Sequence, residues 1–184
     1  MQLIEKGRAE LLYNSMDVRT KAAGGSVANT IAGVGSLGRK TAFVGRVSDD
    51  ELGRYYADAT LEAGTDFLNK PVRNGKLPTS RSMIFNSQDG NRSMNTYLGI
   101  SGDLSTDDIP TDLANLAAIV FLEGYLFDKD KGKQAFVTLA KETKLAGGKT
   151  GIAISDPFCV ERHRDDFLSL IENDLDFVIG NEDE

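Results

Sequence analysis

A single cysteine, Cys159, excludes an internal disulfide and any metal site built from several cysteines. Histidine is equally scarce. Any Ser-His-Asp or Cys-His nucleophilic site would have to recruit His163, which lies in the run Arg162-His163-Arg164-Asp165-Asp166. That run has the charge pattern of a solvated helix face and lacks the tight turn on which a nucleophile is presented. Long apolar runs are missing too. Nothing approaches the roughly 18 residues needed to cross a bilayer, and Met1-Gln2-Leu3-Ile4-Glu5-Lys6 has no apolar signal-peptide core. A cytoplasmic chain with no membrane partner is the expectation. Positive charge is concentrated nowhere: 21 basic residues are scattered through a chain of net charge -7. Nucleic acid is therefore not an expected partner, because it needs a clustered positive face. The 184 residues suit one domain with a sizeable core.

What the chain does have is a run of small residues, Ala23-Gly24-Gly25-Ser26-Val27-Ala28-Asn29-Thr30, continuing as an apolar helix to about Leu37. Glycine lets backbone approach a ligand, and a helix N-terminus offers free N–H groups to oxygen-rich partners. Asn29 is the only amide side chain in that helix, and it falls on the first turn. The stretch fits a ligand platform, and it fits equally a glycine turn before a tightly packed helix.

Residues 1–16 carry a loosely helical pattern without a clear N-cap. Thr41 to Val47 reads as a strand, and Ser48 to Glu51 has capping-box spacing ahead of a helix that ends at Gly64. From residue 67 to 99 the period changes to two. Arg81 to Asn86 and Arg92 to Tyr97 read as paired strands around Asp89-Gly90, a hairpin inserted in an otherwise α/β chain and suited to cover a site. Met83, Phe85 and Met94 either line a pocket there or form the hairpin's packed face. Ala118 to Gly124 suits a strand buried on both faces. A helix over about Lys131 to Leu145, a strand over Lys149 to Ser155, a short helix over Asp165 to Glu172 and a strand over Leu175 to Gly180 follow.

This alternation implies βαβ units and a mostly parallel sheet, in which ligands collect beyond the carboxyl ends of the strands. Glu123, Asp156, Asn181 and Glu184 stand at or just past three such ends, so a shared acidic rim is expected. The motif Gly33-Val34-Gly35-Ser36-Leu37-Gly38, with Asp58 about 20 residues on, imitates a dinucleotide fingerprint. It follows a helix and precedes a strand, the reverse of what that fingerprint requires.

Taken together, Gly24-Gly25-Ser26-Val27-Ala28-Asn29-Thr30, the glycines Gly35, Gly45 and Gly53, the hairpin, Asp156-Pro157 and the closing Asn181-x-x-Glu184 resemble the PfkB (ribokinase-like) carbohydrate and nucleoside kinases, in order and over nearly the whole chain. Gly90-Asn91-Arg92-Ser93-Met94 looks most like bacterial adenosine kinases, with fructokinase-like and ribokinase-like members left open. The resemblance implies a ribokinase-like three-layer α/β/α fold with a mostly parallel sheet, incomplete here: residues 1–184 as a partial kinase domain and 67–99 as its β lid. It also implies ATP and Mg²⁺ as cofactors and transfer of the γ-phosphoryl to a primary hydroxyl of adenosine or a sugar. Gly24, Gly25 and Asn29 would contact the acceptor and Glu123 would sit beside it. Asp156 would lie near the phosphate path, and Asn181 and Glu184 would organise Mg²⁺ and phosphate through water. The family's acceptor-binding Asp on a first strand, and its Gly-Ala-Gly-Asp segment with the catalytic base, have no counterpart among these residues. No catalytic residue is therefore assigned, and the 184 residues alone are expected to be inactive, as a kinase fragment or as a catalytically silent binding module. Unpaired sheet edges suggest association, with a homodimer through the lid as one expected form.

Overall fold

The computed structural model describes residues 2–184. Among them the longest parallel pairings stand in two groups. β2 (Thr41–Phe43) and β3 (Thr65–Phe67) pair in parallel, joined by α3 (Glu51–Glu62). β6 (Ile119–Glu123), β7 (Lys149–Ala153) and β8 (Phe177–Ile179) form a second parallel sheet in the order β6-β7-β8, with α5 (Asp130–Leu145) and α6 (Pro157–Asn173) as the crossovers. The expected parallel α/β architecture is present, though in two pieces with shorter strands than the apolar runs suggested. The strand predicted over Thr41 to Val47 stops at Phe43. The helix predicted over Asp165 to Glu172 begins eight residues earlier, at Pro157, because the Asp156 carboxylate caps it.

The main core lies between the second sheet and its helices. Val120, Leu122 and Ile152 from the strands pack with Phe136, Leu139 and Ala140 of α5 and Cys159, Phe167 and Leu170 of α6. Burial on both faces of β6 is not found: Ile119 is 60% exposed, so only one face is fully covered. Across the middle strand, Phe121 and Phe177 stack at 6.0 Å and 14° over Gly151, whose lack of a side chain leaves room for the Phe177 ring.

The hairpin occupies the predicted residues, β4 (Arg81–Asn86) and β5 (Arg92–Tyr97). The first residues, predicted to be loosely helical, instead begin as β1 (Gln2–Leu3), which pairs in parallel with β5, and then form α1 (Lys6–Asn14). Ala9 of α1 is fully buried against Met83 and Tyr97, with Phe85 alongside. Met83 and Phe85 are thus the packed underside of the hairpin. The register puts Ile84 opposite Met94 on the other face, with Thr96 paired to both Ser82 and Leu3.

The hairpin is rooted at the mouth of α3. The cap there is Asp50 and not Ser48, whose N–H is taken by the Thr79 hydroxyl at 3.0 Å. Asp50 Oδ1 accepts from Gly53 N–H at 2.8 Å and from the Thr79 hydroxyl at 2.7 Å, and Oδ2 accepts from Thr79 N–H at 2.9 Å. Burial by itself would raise the Asp50 pKa, but the bonds from Thr79 and Gly53 outweigh it and hold the carboxyl below the usual range. A carboxyl that binds its proton more weakly when folded contributes stability that is complete above the unfolded value of about 3.9. That contribution is lost as pH falls through the lower folded value. Asp50→Asn keeps a capping oxygen but cannot titrate. In a series of urea midpoints from about pH 5 to pH 2 its acid limb should be flatter than that of the unsubstituted protein; parallel limbs would remove Asp50 from this role.

The remaining α-helices are α2 (Ser26–Ser36) and α4 (Leu113–Leu116), and short 3₁₀ turns stand at Gly99–Asp103, Thr106–Asp108 and Gly124–Asp128. α2 rests between the two parallel groups and touches β2, β3 and β6.

Candidate functional site

Gly25 ends the loop before α2 in a conformation, φ 128°, that a side chain rarely adopts, and a Cβ there would stand 3.3 Å from the Ala28 Cβ. That turn presents the first helical residue to the end of β6. Ser26 N–H donates to Glu123 Oε1 at 3.1 Å, and the Ser26 hydroxyl donates to the same oxygen. α2 has no acidic residue of its own in the first turn. Glu123 supplies the negative charge that the positive helix end attracts.

One turn further on, Asn29 gives its backbone N–H to Gly25 at 2.8 Å. It is exposed, as are Gly24 and Gly25. The structure therefore brings Gly24, Gly25, Asn29 and Glu123 to one accessible helix mouth. A member of this cluster that the sequence did not single out is Tyr56. Its hydroxyl reaches 3.9 Å from the position of a Gly25 Cβ, and its ring packs with Phe43 and Phe67 at about 6 Å. Burial, followed by the Glu123 charge, pushes its phenol well above the usual range.

The register aligns Glu123 with Ala153 and Ala153 with Ile179, so the three strand ends lie side by side. The acidic rim expected there is only partly realised. Asp156 is engaged on both oxygens: Oδ1 accepts from Cys159 N–H at 2.8 Å, and Oδ2 accepts from the Tyr125 hydroxyl at 2.7 Å. Burial and this bond raise the Tyr125 pKa. Asn181 and Glu184 bind each other, Nδ2 to Oε1 at 2.9 Å, and both remain accessible on that side of the sheet. Neither touches Glu123. Among the described residues no group of three His, Cys, Asp or Glu side chains gathers as a metal-binding cluster.

Beside the rim lies a cavity of about 520 Å³. Gln2, Leu3 and Leu98 of the hairpin sheet and its exit bound one side, and Asp128, Lys129, Asp156, Phe158 and Arg162 bound the other. Phe158 is 65% exposed, unusual for a phenyl ring in the first turn of a packed helix. A second cavity of about 480 Å³, at Asp49, Lys70, Pro71 and Arg73, shares none of these residues. His163, expected on a solvated face, is instead held between Phe127 and Phe167 with its ring bonded to Asp128 at 2.8 Å. Long-range packing decided its place, and the local charge run concealed it.

Residues 9–184 match the pfkB family carbohydrate kinases. The chain is similar to the adenosine kinase of Sinorhizobium meliloti, with a TM-score of 0.93 and 42% identity over all of this chain and 56% of that one. It is also similar to a probable sugar kinase of Rhizobium etli CFN 42, with a TM-score of 0.93 and 41% identity over the same shares. A 5-dehydro-2-deoxygluconokinase of Shouchella clausii (strain KSM-K16) is 29% identical over 71% of this chain and 40% of its own length. The chain spans about half the length of the relatives it matches.

Proposed function

Because the chain belongs to the pfkB family of carbohydrate kinases, we propose that it carries the acceptor-binding and lid portion of an ATP-dependent kinase that phosphorylates the primary hydroxyl of a nucleoside, adenosine foremost. The observation that carries this reading is the open cleft of about 520 Å³ between the hairpin sheet and α6, with a largely exposed phenyl ring on one wall and two leucines on the other; Gly24, Gly25, Asn29 and Glu123 are not in its lining and form a separate mouth at α2. That volume lies within the range of small-ligand pockets. The flat face of Phe158 can be covered over its whole area by a nucleobase, whereas a sugar ring offers it only a small patch of C–H groups.

In this reading the Gly24 and Gly25 backbone and the Asn29 amide take the acceptor's ring hydroxyls, the amide both donating and accepting. Glu123 fixes the helix mouth around them. The hairpin excludes water from the transfer path, which suppresses ATP hydrolysis. Asn181 and Glu184, paired and accessible, suit a Mg²⁺ ion held through its waters, since that ion takes few carboxylates and retains much of its hydration. When bound, the ion neutralises charge on the phosphates in transfer. These residues align the acceptor and its surroundings, which is where most of the catalysis of phosphoryl transfer lies.

The test is a phosphorylation panel on the protein expressed from its full reading frame, with adenosine, fructose, ribose and 5-dehydro-2-deoxygluconate as acceptors. Adenosine should be preferred by at least about tenfold in kcat/KM, the worth of one well-placed contact. Preference for any of the sugars would overturn the nucleoside assignment and leave the sugar-kinase reading in its place.

A further inference from the structure

Asp128 closes the 3₁₀ turn Gly124–Asp128 that follows β6, and its side chain is only 15% exposed. Three donors converge on it. Arg162 Nε reaches Oδ1 at 3.1 Å, Arg162 Nη2 reaches Oδ2 at 3.0 Å, and the His163 ring donates from Nε2 to Oδ1 at 2.8 Å. His163 reaches this place because α6 leaves helical geometry at that residue, with φ −121° and ψ 22°. The pairing grips the guanidinium along one edge, through Nε and Nη2, and Nη1 makes no hydrogen bond among the described residues.

Asp128 and Arg162 both border the 520 Å³ cavity, and so does Phe158. Phe158 and Arg162 are four residues apart on α6, which sets them on one helix face. A planar fork of donors, clamped in orientation, thus adjoins an exposed planar ring. An unclamped arginine would have to give up side-chain freedom on meeting a ligand, whereas here Asp128 has already imposed most of that order.

We propose that Arg162, clamped by Asp128 and His163, is a specificity-determining residue that donates a hydrogen bond to an acceptor atom on the edge of the substrate's heterocycle, while Phe158 covers that ring's face. The inference rests on the nucleoside reading above. A guanidinium donates and never accepts, so it selects rings that present an unprotonated ring nitrogen or a carbonyl oxygen at that edge. In adenosine the candidates are N1, N3 and N7. A ring carrying C–H at the same position leaves the donor unpaired, and such a loss is what polar sites discriminate against most strongly.

The test combines ligand edits with protein edits on the protein expressed from its full reading frame. Calorimetry gives Kd for adenosine and its 1-deaza, 3-deaza and 7-deaza analogues. One analogue should bind about tenfold more weakly than adenosine, the usual worth of a hydrogen bond from a charged donor. In Arg162→Met adenosine should lose about the same factor, and that analogue should lose nothing more, because the two edits delete one interaction. Asp128→Asn, which loosens the clamp but keeps the guanidinium, should give a smaller loss confined to the same nitrogen. Equal binding of all four ligands to the unsubstituted protein overturns the inference without any variant having to fold. A deaza penalty that persists in Arg162→Met overturns it as well. If adenosine does not bind while a sugar does, the nucleoside reading fails first and takes this inference with it.

Discussion

Gly53→Ala is expected to cost the folded state more than about 3 kcal/mol, at the upper end of what single substitutions do. A Cβ at Gly53 would stand 1.9 Å from the Ser48 carbonyl oxygen and 2.9 Å from the Thr79 hydroxyl oxygen. The first obstacle is backbone, which cannot swing aside as a long side chain can. Relief requires moving the first turn of α3 away from Ser48, and that would break the Gly53 N–H bond to Asp50 and loosen Thr79, on which the hairpin is rooted. The measurement is a urea transition of the variant beside that of Gly33→Ala, where nothing lies within 4 Å of the added methyl. Gly33 is inside α2, so alanine there should stabilise by about 0.5 to 1 kcal/mol. A Gly53→Ala midpoint close to the unsubstituted one would remove close packing at Gly53 as a constraint on the mouth of α3.

On the proposed nucleoside-kinase function, Glu123→Ala in the protein expressed from its full reading frame should lower phosphorylation of adenosine by about 100-fold in kcat/KM, the scale on which misalignment of about 1 Å is felt. The carboxylate joins α2 to β6 through both Ser26 donors and lies beside Gly25 and Tyr56. Without it the glycine turn and Asn29 lose the fixed relation to the strand ends on which alignment depends. Ser26 is exposed, so its freed donors find water, and the melting temperature should fall by no more than a few degrees. Glu123→Gln keeps an accepting oxygen but removes the charge facing the helix end, and an intermediate loss is expected. Activity unchanged in Glu123→Ala would detach this carboxylate from the acceptor site. A large fall in melting temperature with activity retained would make it a purely structural strut.

The encounter of Glu123 with Ser26 spans 97 positions of sequence; the family resemblance set Glu123 beside the acceptor and the parallel sheet set it at the carboxyl edge, but neither pointed to Ser26 as its partner. The hairpin was legible to the residue, since period-two alternation around Asp89-Gly90 is a local signal. Other features were settled by partners far along the chain. The cap of α3 fell to Asp50 because Thr79, 29 residues away, claims both Asp50 and the Ser48 N–H. The packed face of the hairpin was set by α1 docking Ala9 against it, so Met83 and Phe85 turned away from any ligand. Asp156 looked like a rim carboxylate, but Tyr125 and the α6 mouth took both its oxygens. Arg162 and His163 lay in a run whose charges suggested only solvent, and nothing local announces that Asp128, more than 30 residues earlier, gathers both.

The aromatic pair that straddles Gly151 ties the first and third strands of the second sheet together across the one between them. A bracket of that kind resists shear, so the termini of β6 and β8 should shift as a block during thermal fluctuation. Amide protons of Phe121, Ile152 and Val178 are then expected to exchange with deuterium through one shared opening event. The spacing between Glu123 and Asn181 would stay constant while loops around it breathe, which is what two halves of a transfer site require if each is to hold its own end of a reacting pair.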